Sequence, residues 1–408
     1  MILNEIDPDR AQLAQLNFPE SEVITGDIWE EKERIISSAR ARLAITGNDQ
    51  LFLLSATPPC QGMSKNGIGS NLKAVRDGLR PESDPRNYLF SPALLILEAL
   101  RPKFFFFENV DRMANAFVDD EEGKRTPLVQ LLTRRLHALG YIGEFRQLNM
   151  ANFGLPQNRL RMVGLFAEEK SANSLQIKVS VLTSILRNRA TSETYSLRKA
   201  IGHLPPLDSA LKETAKSSYH PLHKVPVSRP DLYYWIAHTE EGETAFNNNK
   251  CPKCSVTSTK DDLHCVSCQH LLPKPVVMAD GNLRKIKGFI SAYKRMRYDE
   301  PAPTITTRSA YAGSDHNLHP IQNRVLSILE VAIVQGLGEN DYKWGPYKTI
   351  NYGKSVIKSL ANDTLIRDIL GEPVPPVFSK VIGEHLVGLA KHTGDSSYPV
   401  EAGQLALL

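Results

Sequence analysis

The first part of the chain alternates short apolar runs with amphipathic stretches. "MILNEID", "SEVITGD", "LFLLSAT", "KFFFFENV" and "RMVGLF" are runs of strand length, most of them closed by a polar residue or a turn. Between them lie helix-like stretches at Asn87–Leu100 and Leu128–Leu139. This alternation predicts a parallel α/β sheet over residues 1–167. In such sheets a ligand sits beyond the carboxyl ends of the strands. Glu5, Asp27, Cys60 and Glu108 all fall at or just past those ends. One such residue is usually an exposed loop position, whereas four together predict a site.

From residue 168 to about 297 the periodicity weakens, Pro and His become frequent, and the other four cysteines appear. Helical patterns return beyond Pro301 with "RVLSILEVAIVQGL" and "VFSKVIGEHLVGLAKH". The expected organisation is a first domain over 1–167, an inserted second domain over 168–297, and a return segment over 298–408 whose last helix packs on the first domain.

Composition narrows the class. With 408 residues, 41% hydrophobic and 23% charged, the chain can bury a large core. No apolar run approaches the ~20 residues that span a bilayer, and "MILNEIDPDR" has no basic n-region or apolar h-region. Five cysteines and no export signal point to the reducing cytoplasm, where clustered thiols suggest metal rather than disulfide. A net charge of +4 permits a polyanionic partner without requiring one.

Three short stretches carry chemistry. "SATPPCQGMSKNG" isolates Cys60 in a loop stiffened by Pro58 and Pro59. A buried structural cysteine would sit inside a strand or helix, whereas a thiol at a strand end facing a helix N-terminus can ionise and act as a nucleophile. "FFFFENV" delivers Glu108 from an apolar strand, where a desolvated carboxylate can hold or deliver a proton. "NFGLPQNRLRMVGLF" alternates Gln157, Arg159 and Arg161, so that an extended run would put both arginines on one face. Each stretch alone has a plainer explanation: an ordinary loop, a polar strand cap, a solvated edge.

Together, and in this order, they resemble the DNA (cytosine-5) methyltransferases, and the resemblance covers almost the whole chain. Tyr293–Pro320 resembles the family's stretch after its target-recognition domain, and "GEPVPP" at Gly371–Pro376 its closing motif. The resemblance implies an S-adenosylmethionine-dependent, Rossmann-like methyltransferase sheet with an inserted target-recognition domain. It also implies double-stranded DNA as partner, a nucleoid-associated protein, and a bacterial restriction-modification setting. It assigns Cys60 as the nucleophile on cytosine C6, Glu108 to N3 and the amino group, and Arg161 to the base carbonyl with Arg159 beside it. For the cofactor it assigns Glu5 to the ribose hydroxyls, Ile6 and Ile28 to the adenine ring, Asp27 to the adenine amino group, and Pro59 nearby. Val374 belongs to the closing motif, where Glu372 and Pro373 replace the family's usual middle pair.

"CPKC…HCVSC" gives Cys251, Cys254, Cys265 and Cys268, two Cys-x-x-Cys knuckles ten residues apart. The spacing predicts a structural zinc ribbon, held by these four cysteines, inside the second domain. After it, Leu283–Arg297 holds six basic residues and no acidic one, which suits phosphates or, equally, a solvated face.

The family opens with Asp-x-Phe-x-Gly-x-Gly on its first strand. This chain has no such sequence and opens at what would be the second strand; "GIGSN" at Gly67–Asn71 does not fit the role. The expectation is that an upstream segment or a second polypeptide supplies it. The rival readings are a non-catalytic DNA-binding or regulatory subunit and a tRNA cytosine-5 enzyme.

Overall fold

A computed structural model describes residues 1–58, 88–187, 195–289, 291–345 and 362–391. Pro59 and Cys60 lie outside the described residues, as does "GIGSN". The chain divides into two compact units. One holds Met1–Phe153, Leu160–Ala190 and the chain from Val377; the other holds Gly154–Arg159 and Thr191–Pro376. Its borders thus fall at 190/191 and 376/377, where the periodicity placed them at 167/168 and 297/298.

In the first unit the expected runs are strands at Ile2–Glu5, Glu22–Thr25, Leu53–Ala56, Phe104–Val110 and Leu160–Glu168. The crossovers are helices at Pro8–Asn17, Ile28–Thr46 and Phe90–Leu100. Asp7 and Asp27 cap the first two through their carboxylates, satisfying amides that a helix start leaves unpaired. The four phenylalanines of Phe104–Val110 are all buried, as a strand covered on both faces requires. A strand that the apolar pattern did not mark, Tyr141–Asn149, completes a four-stranded sheet in the order Leu53–Ala56, Phe104–Val110, Leu160–Glu168, Tyr141–Asn149.

In this unit only the pairings of Ile2–Glu5 with Glu22–Thr25, and of Leu53–Ala56 with Phe104–Val110, are parallel among the described residues. Leu160–Glu168 runs antiparallel to both its neighbours, which corrects the all-parallel expectation. The link from Asn149 to Leu160 is shorter than the dozen or more residues that a parallel crossover needs. Among the described residues no ladder joins Ile2–Glu5 to Leu53–Ala56, although Ile2 and Leu54 pack on one apolar cluster with Ile24, Ile35, Ile36 and Ile96. Phe378 of the Pro376–Lys391 helix reaches the sheet, 4.7 Å from Phe153 and 6.3 Å from Phe106 between ring centroids.

The second unit is poor in regular structure. Its core gathers Leu197, Ile201, Met296, Tyr298, Ile305, Leu329, Val331 and Leu370. A helix at Ile328–Val334 starts on a capping box, Ser327 with Glu330. Under it lies a buried ion pair in which Arg324 donates to both oxygens of Glu330 at 2.6 and 2.7 Å.

Candidate active site and metal centre

Glu108 follows the four phenylalanines near the end of the Phe104–Val110 strand and is 6% exposed. In the antiparallel register Val110 faces Arg161, so Glu108 and Arg161 are diagonal neighbours on one face. Arg161 Nε lies 2.9 Å from Glu108 Oε1, with both side chains below a tenth exposed. Two opposite charges in so dry a setting fix each other's position. The next residue, Asn109, is also buried, and its Nδ2 donates to the Pro58 carbonyl at 3.1 Å. That bond ties the end of the Phe104–Val110 strand to Pro58, two residues before Cys60 in the sequence. Sequence reasoning gave Asn109 no role; the signal was its place directly after the strand-end acid.

Glu5 and Asp27 come together. Glu5 pairs with Thr25, and the Gly26 amide donates to the Glu5 carbonyl at 3.0 Å, so both acids stand at one end of the parallel pair. Glu5 Oε1 accepts the Asp7 amide at 2.9 Å, and Asp27 Oδ1 accepts that of Trp29 at 2.9 Å. Ile6 follows Glu5 and is 65% exposed, an apolar surface beside two carboxylates. Ile28 is half-buried against the Ile24 cluster.

Arg159 differs from Arg161. The extended run breaks at Arg159, which belongs to neither Gln157–Asn158 nor Leu160–Glu168. It is fully buried and donates to three main-chain carbonyls: Ile305 at 3.2 Å, Gly371 at 3.1 Å and Pro373 at 3.1 Å. Gln157 beside it is equally buried; its Nε2 donates to the Val334 carbonyl and its Oε1 accepts the Ile305 amide. Gly371 lets its turn lie directly against the Thr306–Thr307 backbone, since a Cβ there would meet the Thr307 amide nitrogen at 2.3 Å. Val374 is half-buried just beyond that turn.

The four cysteines of the second unit converge, all their Sγ atoms lying within 4.8 Å of one another. Cys251 and Cys268 are 3.6 Å apart, Cys254 and Cys265 3.4 Å. A tetrahedron of sulfurs ~2.3 Å from zinc has edges of ~3.8 Å, so the set fits that ion. The two knuckles repeat one backbone design. Ser255 N donates to Cys251 O and Gln269 N to Cys265 O, and both donors have positive φ, 61° and 58°. The amides of Cys251 and Cys265 in turn donate to Val256 O and His270 O. Of the basic residues after the ribbon, Arg295 is not a surface charge. It is buried and donates to the carbonyls of Thr239, Ile236 and His319, and burial lowers its pKa to about 10.

The described residues thus place a buried carboxylate–guanidinium pair near the end of the Phe104–Val110 strand and two acids together at the end of the parallel pair Ile2–Glu5 and Glu22–Thr25. Residues 1–365 match the C-5 cytosine-specific DNA methylase family, and the chain belongs to it. Among curated relatives, the Type II methyltransferase M1.HgaI of Avibacterium volantium is 29% identical over 391 residues, 92% of this chain and 88% of its own. M1.HphI of Haemophilus parahaemolyticus is 24% identical, over 93% of this chain and 78% of its own. A solved structure named for a prophage-encoded DNA modification methyltransferase of E. coli shares the fold, with a TM-score of 0.56 at 16% identity, covering 95% of this chain and 92% of that one. No helix among the described residues is long and apolar enough to cross a membrane.

Proposed function

We propose that this chain methylates C5 of a cytosine flipped out of a specific duplex sequence, with S-adenosylmethionine as donor, as the modification enzyme of a Type II restriction-modification system. The observation that carries the reading is the buried Glu108–Arg161 pair, coupled through Asn109 to the carbonyl of Pro58, two residues before Cys60. Cytosine C5 is too poor a nucleophile to accept a methyl group unaided. The Cys60 thiolate adds to C6, and the electron pair of the C5–C6 double bond becomes available at C5. Glu108, held by Arg161, hydrogen-bonds N3 and the exocyclic amine as charge develops there. Arg161 also reaches the base carbonyl. The bound cofactor supplies an electrophilic methyl group. Loss of the C5 proton then re-forms the double bond and expels the thiolate. A stacked base hides C6, so flipping costs a few kcal/mol.

The two acids at adjacent strand ends, with exposed Ile6 beside them, suit a ribose diol and an adenine edge. On this reading Glu5, Ile6, Asp27, Ile28, Pro59 and Val374 hold the cofactor. Arg159 acts as a positioning residue, shaping the turn that carries Val374 through its three carbonyls. Cys251, Cys254, Cys265 and Cys268 hold a structural zinc ion in a target-recognition domain.

The test is trapping. A duplex carrying 5-fluorocytosine at the target cannot lose the C5 substituent, so the adduct should accumulate on the wild-type chain and be absent from Cys60→Ser. Equal trapping by that variant would refute the assignment.

A second reading concerns the sheet. Ile2–Glu5 and Leu53–Ala56 each have an edge that no described residue pairs, although both pack on one core. An unpaired edge in an apolar sheet is a template for another strand. A strand carrying a glycine-rich turn, from an upstream segment or a second polypeptide, would complete it. Calorimetric titration of cofactor with and without such a segment decides; equally tight binding in both cases rules the strand out.

A further inference from the structure

The antiparallel hairpin Val276–Ala279 and Asn282–Lys285 has a two-residue turn, Asp280 and Gly281, with φ of 51° and 75°. Positive φ at both positions matches the twist of paired strands, so the tip is rigid and narrow. Its register pairs Val277 with Arg284 and Ala279 with Asn282, which puts these four side chains on one face. Val276, Lys285, Met278 and Leu283 share the other.

The second face is anchored. Lys285 Nζ donates to the Lys260 carbonyl and lies 3.2 Å from Asp261 Oδ1. Lys274, at the foot of the hairpin and 1% exposed, donates to the carbonyls of Thr259, Lys260 and Asp262 at 2.9, 3.3 and 2.9 Å. The loop these lysines grip joins the two cysteine knuckles. The first face is open, with Val277 48% exposed and the Arg284 side chain 58%, whereas on the second face Met278 near the tip is exposed and Val276, Leu283 and Lys285 are half-buried.

Resting on the DNA-methylating reading above, we infer that this outer face enters the major groove and reads base edges. A two-stranded ribbon fits a groove ~12 Å wide. The guanidinium fork of Arg284 matches guanine O6 and N7, the Asn282 amide matches adenine N7 and N6, and Val277 offers apolar contact to a thymine methyl. Asp280 lies 3.4 Å from Arg284 and aims it; with both groups largely exposed, a guanine edge can replace the carboxylate. Lys287, exposed just beyond the second strand, suits a flanking phosphate. The cysteine ribbon is then the footing of a reading head.

The test is selection of bound duplexes from a random pool by the zinc-loaded full chain, read by sequencing. The wild type should enrich one motif. Arg284→Ala should lose preference at one position by about tenfold or more, and Asn282→Ala at another. Arg284→Lys keeps the charge but not the fork, so it should bind with near wild-type affinity yet fail to restore the lost preference. Unchanged motifs in the alanine variants, full restoration by lysine, or no motif from the wild type would each overturn the inference. Bisulfite sequencing of plasmid treated with wild type runs alongside. A selected motif without methylation would remove the proposed reaction and leave the reading head; methylation with unchanged variant motifs would do the reverse.

Discussion

The strand-end site and the cysteine ribbon are held by opposite means. The site joins residues from distant parts of the chain: Arg161 meets Glu108 across a ladder, and Asn109 reaches back to Pro58. Its precision comes from a sheet buried on both faces. The ribbon is local, closing within Cys251–Cys268, with no apolar cluster of its own among the described residues beyond Cys251, Cys265, Leu272 and half-buried Cys268. A site made by a sheet fails when the fold fails. A ribbon held by a metal, as proposed for these four thiols, fails when the metal leaves, and the rest can survive.

That contrast breaks most sharply on chelation. If the four thiols hold zinc as proposed, stripping the metal, or Cys265→Ala, should unfold the ribbon under the proposed reading surface and lower duplex selectivity by a hundredfold or more, because structural zinc contributes ~10 kcal/mol or more to the fold it holds. Cofactor binding, measured by calorimetry, should change by less than about threefold, because most of the residues proposed to hold it, Glu5, Ile6, Asp27 and Ile28 among them, belong to the first unit. Parallel loss of both would mean that the two regions are not independent.

Glu108→Gln should lower the methylation rate by about 10²–10³-fold while cofactor binding holds. It should also cost stability, since Arg161 is left buried without its anion. Arg159→Gln makes the complementary case. Three carbonyls lose a charged donor, so denaturant unfolding should show a loss of roughly 2–4 kcal/mol with a smaller effect on the rate per folded molecule. The reverse ranking would exchange the roles of the two arginines.

Acid should find the second unit first. The Arg324 guanidinium holds Glu330 down to about pKa 2, and burial holds His319 down to about 3. Both folded values lie below their unfolded ones. Their stabilisation is therefore complete above pH ~6.5 and is lost as pH falls, His319 beginning near 6.5 and Glu330 near 4.5. His319 Nδ1 accepts the amides of Ile321 and Gln322, bonds that protonation there would break. Fluorescence melts between pH 7 and 4 should show early loss of the second unit, and His319→Gln should flatten its upper limb.

The smallest effect is expected at Asn109→Ala. Removing one donor from the Pro58 carbonyl should cost about 1 kcal/mol, read as a several-fold fall in rate with little change in melting temperature.

How much of this the sequence disclosed follows from what local pattern can encode. Five strands of the first unit are readable because each is a short apolar run. Tyr141–Asn149 is not, since "YIGEFRQLN" mixes Glu144, Arg146 and Gln147 into a strand only partly covered. The cysteine ribbon is readable because its ligands are close in sequence. Arg159 and Arg161 look alike because alternation gives a face but not a partner; only the fold tells a carboxylate from three carbonyls. Arg295 misleads for the same reason, as a charge in a basic run that serves as an interior brace. The Asp280-Gly281 dipeptide suits a hairpin turn, but which of the hairpin's faces is open cannot be read from composition.

The Arg159 clamp also has a consequence in time. Its acceptors lie 146, 212 and 214 residues further along the chain. At the ~5–20 residues per second of ribosomal synthesis, Gly371 is made roughly 10–40 s after Arg159. Throughout that interval the turn that the arginine will grip does not exist. The second unit therefore cannot close before Gly371 is made, and nascent chains halted short of it should be the form that chaperones and proteases meet.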